Sequence, residues 1–130
     1  MSKRPFEMIL LRQLAGHLSL PVLLADTAGN LIFYNEGAEL VLGRRFDETG
    51  ELPPTEWEAL FIPRDEQGAT LPPDALPLST ALRTRRPAHR RFEIRGFDGI
   101  LRHVEATAVP VLALDGGLHG AAVFLWESPT

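Results

Sequence analysis

The stretch LHGAAVFLWE, residues 118–127, limits the possible folds more than any other part of the chain. As a strand, with side chains alternating between faces, it sets Leu118, Ala122, Phe124 and Trp126 on one side and Ala121, Val123 and Leu125 on the other. Both sides are apolar. An antiparallel sheet with one face in water alternates apolar with polar residues, so this strand requires protein above and below it.

The rest of the chain supplies candidate cover. FEMILLRQLAGHL, residues 6–18, reads as an amphipathic helix. At 3.6 residues per turn, Leu10, Leu11, Leu14 and Leu18 form one stripe with Met8 and Ala15 beside it, opposite Arg12, Gln13, Gly16 and His17. PVLLAD (21–26) and NLIFYN (30–35) read as strands joined through Thr27-Ala28-Gly29, with Asp26 able to bond turn amides. Asn35 then caps a short helix that ends at Gly43.

A second helical piece is expected from Thr55, where Thr55 and Glu58 have capping-box spacing ahead of Trp57, Leu60 and Phe61. Residues 62–73 read as a Pro/Gly loop, and Asp74 as the cap of a helix through ALPLSTALRTRR that Pro87 ends. Three strands complete the chain: AHRRFEIRGF, then ILRHVEATAVPVLAL after an Asp98-Gly99 turn, then the two-faced strand after Asp115-Gly116-Gly117. The order is helix, two strands, three helical pieces, three strands.

At 130 residues, one domain with one real core is expected. The 45% hydrophobic and 23% charged content fits a folded globular chain rather than a disordered one. The opening MSKRPFEMILLRQLAG is basic, but Glu7, Arg12 and Gln13 interrupt its apolar run, so neither a signal peptide nor a membrane span is expected. No cysteine is present, which excludes disulfides, thiolate metal sites and cysteine nucleophiles and is compatible with a cytoplasmic setting.

The net charge of -4 argues against general nucleic-acid binding. The charge is unevenly placed: 6 basic against 12 acidic residues over 1–74, and 7 against 5 over 75–130. Arginines 83, 85, 86, 90, 91, 95 and 102 cluster on the last helix and the strands that follow. They read either as a solvated strand face that protects an edge or as a docking surface for an acidic partner.

Catalytic signatures are missing. The chain has no G-x-S-x-G, H-E-x-x-H or phosphate-binding glycine loop. His17, His89, His103 and His119 are scattered without metal-ligand spacing, so no metal site and no enzyme activity are expected.

The element order, with DTAGNLIFYNEGAELVLG, LPPDALPLSTALRTRRP and FDGILRHVEATAVPVLALDGGLHGAAVFLWE, resembles a bacterial PAS domain over residues 19–127. The resemblance implies an α+β fold: a five-stranded antiparallel sheet in the order 2-1-5-4-3 with helices over one face. Residues 1–18 are then a capping or dimerisation helix and 128–130 a tail. It also implies a role in signalling or protein interaction, usually as a homodimer. The chain ends in Trp126-Glu127-Ser128-Pro129-Thr130 rather than in an output domain. Either the module acts in trans on a signalling partner, or these residues belong to something longer.

Such domains often hold a ligand between helices and sheet. Here thiol-linked chromophores are excluded and the helix at 75–86 has no histidine to serve as the usual haem ligand, while a small-ligand sensor with non-covalently bound flavin, haem or metabolite is the alternative to an empty interaction module. If Val104, Ala106 and Ala108 face the helices, the sheet floor is small, with Phe92, Ile94 and Phe124 beside it and Trp57, Phe61, Leu78 and Leu82 above. Tyr34 and Asn35 would supply polar contacts to a small apolar ligand. A filled core is the competing expectation. The interaction surface is expected at Met8, Leu10, Leu11, Leu14 and Leu18 of the helix, with Val123 and Leu125 on the outer sheet face.

Overall fold

In the computed structural model, which describes residues 4–128, the elements follow the expected order. They are α1 (Phe6–Ala15), β1 (Val22–Ala25), β2 (Leu31–Tyr34), α2 (Glu36–Leu42), α3 (Phe46–Thr49), α4 (Pro54–Phe61), α5 (Pro77–Thr84), β3 (Ala88–Arg95), β4 (Leu101–Leu112) and β5 (Leu118–Glu127). A single 3-10 turn, Pro73–Ala75, precedes α5. Pro129 and Thr130 of the expected tail lie outside the described residues. The five strands form one antiparallel sheet in the order β2-β1-β5-β4-β3.

Local chemistry accounts for the first crossing from sheet to helix. Asp26 Oδ1 accepts from the backbone N–H of Ala28 and of Asn30, both at 3.0 Å, and Gly29 takes the positive φ of 86° that the β1–β2 turn requires. Asn35 Oδ1 accepts from the Ala38 N–H at 3.0 Å as the α2 cap, and Gly43 closes the helix in the left-handed region.

Several helix starts differ from expectation. α4 begins at Pro54 with Pro53 at its N-cap; a prolyl side chain has no acceptor to offer, and Thr55 lies inside the first turn, so no Thr55–Glu58 capping box forms. Pro77 starts α5 in the same way, which confines Asp74 to the preceding 3-10 turn. α1 stops at Ala15 rather than Leu18, and α3 is a short additional turn.

Two apolar layers result, one on each face of the sheet. The larger lies under α2, α4 and α5 and contains Leu23, Tyr34, Trp57, Phe61, Phe92, Ile94, Val104, Ala106, Ala108, Val123 and Leu125. The smaller lies under α1 and joins Met8 and Ala15 to Val22, Leu24, Ile32 and Ala122, with Leu11, Phe33, Val111 and Phe124 at its margin. The two-faced strand is therefore covered on both sides, by different helices of the same chain.

The β4–β5 register corrects one expectation. Ala106 pairs with Leu125 and Ala108 with Val123, and residues directly opposite in an antiparallel pair share a face. Val123 and Leu125 thus belong to the inner layer with Ala106, and Phe124 to the outer one. The leucine stripe of the first helix also divides. Met8, Ala15 and Leu11 meet the sheet, whereas Leu10, Leu14 and Leu18 are exposed.

Close approach requires glycine at two places. A Cβ on Gly37 would strike the Ser19 carbonyl, because the α1–β1 linker crosses the first turn of α2. One on Gly120, where φ is 152°, would strike the Ala25 carbonyl and lie 3.0 Å from Met8 Cε, so Gly120 lets α1 settle on the sheet.

Candidate functional site: an apolar cavity and the surfaces around it

Between the helices and the inner sheet face lies a cavity of about 70 Å³. The sheet contributes Leu23, Leu31, Phe92, Ile94, Ala106, Val123 and Leu125, and the covering layer Leu42, Trp57, Phe61, Pro63, Leu76, Pro77 and Leu78. Ala106 is the smallest side chain in the floor, and Trp57 and Phe61 overhang it with ring centroids 6.4 Å apart. Every lining side chain is apolar except for the Trp57 indole N–H, which donates to the Gly29 carbonyl at 2.9 Å.

Six residues expected at the pocket line it: Trp57, Phe61, Leu78, Phe92, Ile94 and Ala106. Val104 and Ala108 are buried in the same layer without lining the cavity, and Leu82 packs against that layer, also outside the cavity lining. Phe124 is on the opposite face, for the register reason given above. Leu23, Leu31, Val123 and Leu125 line the cavity without having been expected to, since only the strand register shows which face they occupy.

Tyr34 and Asn35 have structural duties instead of pocket ones. The Tyr34 hydroxyl lies 3.1 Å from the Arg44 carbonyl and 2.9 Å from Thr49 Oγ1, and burial pushes its pKa above the ordinary tyrosine value. Asn35 is 2% exposed and fully engaged. Its Oδ1 accepts from Val22 and Ala38 N–H, and its amide donates to the carbonyls of Ala15 at 2.9 Å, Leu18 at 3.2 Å and Leu20 at 2.8 Å.

At the far end of the sheet, Asp98 takes both terminal nitrogens of Arg102, at 3.0 and 2.8 Å, and accepts the Ile100 N–H at 3.1 Å. The arginine hydrogen bonds, followed by the backbone one, pull its carboxyl pKa down to about 2, below the ordinary aspartate value. On the outer face of β3 and β4, His89 bridges Thr107 and Glu105, and His103 lies 3.5 Å from Glu93. His119 of β5 lies 3.4 Å from Glu7 of α1. Among the described residues no group of three or more His, Asp and Glu side chains is placed to hold a metal ion.

This architecture, with strand order 2-1-5-4-3, helices over the inner face and a cavity between the layers, is that of a sensor-type α+β domain. The family model described as PAS fold matches residues 16–128, and the chain belongs to that family. No protein of curated function matches it in sequence.

Among solved structures it is similar to a Rhodobacter sphaeroides LOV protein, with a TM-score of 0.73 and 11% identity over 96% of this chain and 69% of that one. It is also similar to the PAS domain of Bordetella pertussis BvgS, with a TM-score of 0.62 and 17% identity over 95% and 87% of the two chains. The PAS domain of nitrogen regulation protein NR(II) from Vibrio parahaemolyticus gives 0.64 and 18% over 92% and 98%.

One similar structure is a light-oxygen-voltage domain with a flavin analogue. The residues here do not fit a flavin. Pockets for drug-sized ligands measure roughly 300–1,000 Å³ and orient the ligand by a few polar groups, whereas this cavity measures about 70 Å³ and the one polar side-chain group among its lining residues, the Trp57 indole N–H, is already bonded to Gly29. Haem does not fit either, as no histidine lines the cavity.

Proposed function

We propose that the chain is a non-enzymatic sensory or protein-interaction module of bacterial signal transduction, working in the cytoplasm as a homodimer and acting in trans on a partner. One observation carries the dimer. α1 buries Met8 and Ala15 against the sheet, yet its other side carries Phe6, Ile9, Leu10 and Leu14 at 68%, 46%, 48% and 57% exposure. A surface helix ordinarily turns a polar face to water. This one is apolar on both sides, and a second copy of the same stripe is the simplest cover.

The family membership and the similarity to bacterial PAS domains support the signalling reading. His89, His103 and His119 each lie beside a glutamate on the outer side of the sheet, away from the cavity, so none is placed to act on a molecule held there. No helix is long and apolar enough to cross a membrane among the described residues.

The cavity favours a second reading, in which the module senses a small apolar molecule. Its size and lining suit a ligand of a few heavy atoms rather than a flavin, a haem or a polar metabolite. Native mass spectrometry of protein purified without added ligand tests both readings. The expected spectrum shows a species at twice the 14.4 kDa protomer mass. Protomer mass alone at tens of micromolar would overturn the dimer, and a retained aromatic cofactor would overturn the cavity reading.

A further inference from the structure

We propose that the open edge of β3 is a docking site for an extended acidic segment of a partner protein, which pairs its backbone with His89 and Arg91 and brings carboxylates to Arg86 and Arg90. The proposal uses the interaction-module reading only in supposing a partner; the edge and the α1 stripe lie on different elements, so the two fail separately.

β3 is the last strand on its side of the sheet. In an antiparallel pair, successive residues alternate between directing their backbone groups at the partner strand and away from it. Glu93 fixes the phase. Its N–H donates to the Arg64 carbonyl at 2.8 Å and its carbonyl accepts from the Arg64 N–H at 3.0 Å, so it faces away from β4. Two and four residues earlier, Arg91 and His89 face the same way, and no backbone partner meets them among the described residues. The edge thus already accepts extended chain at one position and offers two further pairs of donors and acceptors beside it, the geometry of strand addition.

Charge selects the occupant. Arg83, Arg85, Arg86 and Arg90 are exposed, and none pairs with a carboxylate among the described residues. Arg83 and Arg85 reach only the backbone carbonyls of Asp74 and Gly116. This cluster sits on a chain of net charge -4, so it is local rather than a reflection of overall basicity. A second copy of the edge would set arginine against arginine, which disfavours self-pairing, whereas an acidic strand is attracted.

The test is a titration of ¹⁵N-labelled protein with a blocked octapeptide of alternating glutamate and valine, and with its lysine-valine counterpart, at low salt. The glutamate peptide is expected to shift the His89 and Arg91 amides and slow their hydrogen exchange, while the lysine peptide does neither. The double variant Arg86→Glu, Arg90→Glu is expected to weaken binding at least about tenfold with its fold retained. Arg91→Pro, which removes an edge donor without touching the β4 ladder, is expected to weaken it as well. Equal response to both peptides, shifts confined to other elements, or unimpaired binding by the charge-reversed variant would overturn the proposal. So would the same amides shifting with protein concentration alone, which would assign the edge to a second copy.

Discussion

The side-chain amide of Asn35 donates to the Ala15 carbonyl at 2.9 Å, joining the end of α1 to the start of α2. The same amide holds the carbonyls of Leu18 and Leu20, while Oδ1 accepts the N–H groups of Val22 and Ala38. One buried residue therefore caps a helix, starts a strand and fixes the linker that seats α1 on the sheet.

Asn35→Ala removes all five bonds and is expected to cost about 2–4 kcal/mol, combining a lost cap with buried groups left unpaired. Asn35→Asp keeps the acceptor but turns an oxygen toward three carbonyls, so it is expected to be the more damaging at neutral pH and to recover partly in acid as the carboxyl protonates. Urea unfolding at two pH values measures both. A loss under about 0.5 kcal/mol for the alanine variant would contradict the clamp.

Asp98 predicts an acid-side signature. Its folded-state pKa of about 2 lies below the 3.8 of an unperturbed aspartate, so the Arg102 pairing stabilises the fold above that ordinary value and loses its contribution as pH falls from about 4 toward 2. Asp98→Asn is expected to flatten the decline of stability across that window and to leave the curve above it parallel to the parent. A carboxyl NMR titration of the parent should place Asp98 near 2; a midpoint close to 4 would contradict the pairing in solution.

The cavity predicts a stabilising substitution. Ala106 lies in its floor, and Ala106→Val adds two carbon atoms toward space lined by Trp57, Phe61 and Leu125. The expected gain is about 0.5–2 kcal/mol, because the added methyls fill a void in a strand that favours β-branched residues. Xenon is expected to perturb the methyl signals of Leu23 and Leu125 in the parent and to lose that effect in the variant. Destabilisation by the valine would show that the cavity is already filled by packing in solution.

Much of this fold is legible in the chain itself, and its failures have a common physical origin. The turn at Asp26 and Gly29, the Asn35 cap and the Gly43 stop depend on neighbours within a few residues, and each appears as expected. The strand order is legible only through the resemblance to PAS domains and not from any local signal. Missed features depend on partners far away in sequence. Asn35 reaches Ala15, Leu18 and Leu20 only after the fold brings α1 back, and nothing local marks it as a clamp.

Face assignment in β5 failed for a related reason. With apolar residues on both sides there is no alternation to read, so the exchange of Phe124 with Val123 and Leu125 is settled only by their pairing with Thr107, Ala108 and Ala106. The first helix reads as amphipathic in sequence, but the side that meets the sheet is chosen by Met8 fitting over Gly120 and by the small Ala15, not by the richest run of leucines.

The most direct test of the central claim, that α1 uses its second apolar side to join two copies, is sedimentation of the parent beside Leu14→Glu. Leu14 is exposed within the protomer, so the charge should leave the unfolding transition nearly unchanged. The account predicts a dimer for the parent and a well-folded monomer for the variant at the same concentration. A parent that sediments as a monomer at tens of micromolar, or a variant that keeps the dimer mass, would contradict it.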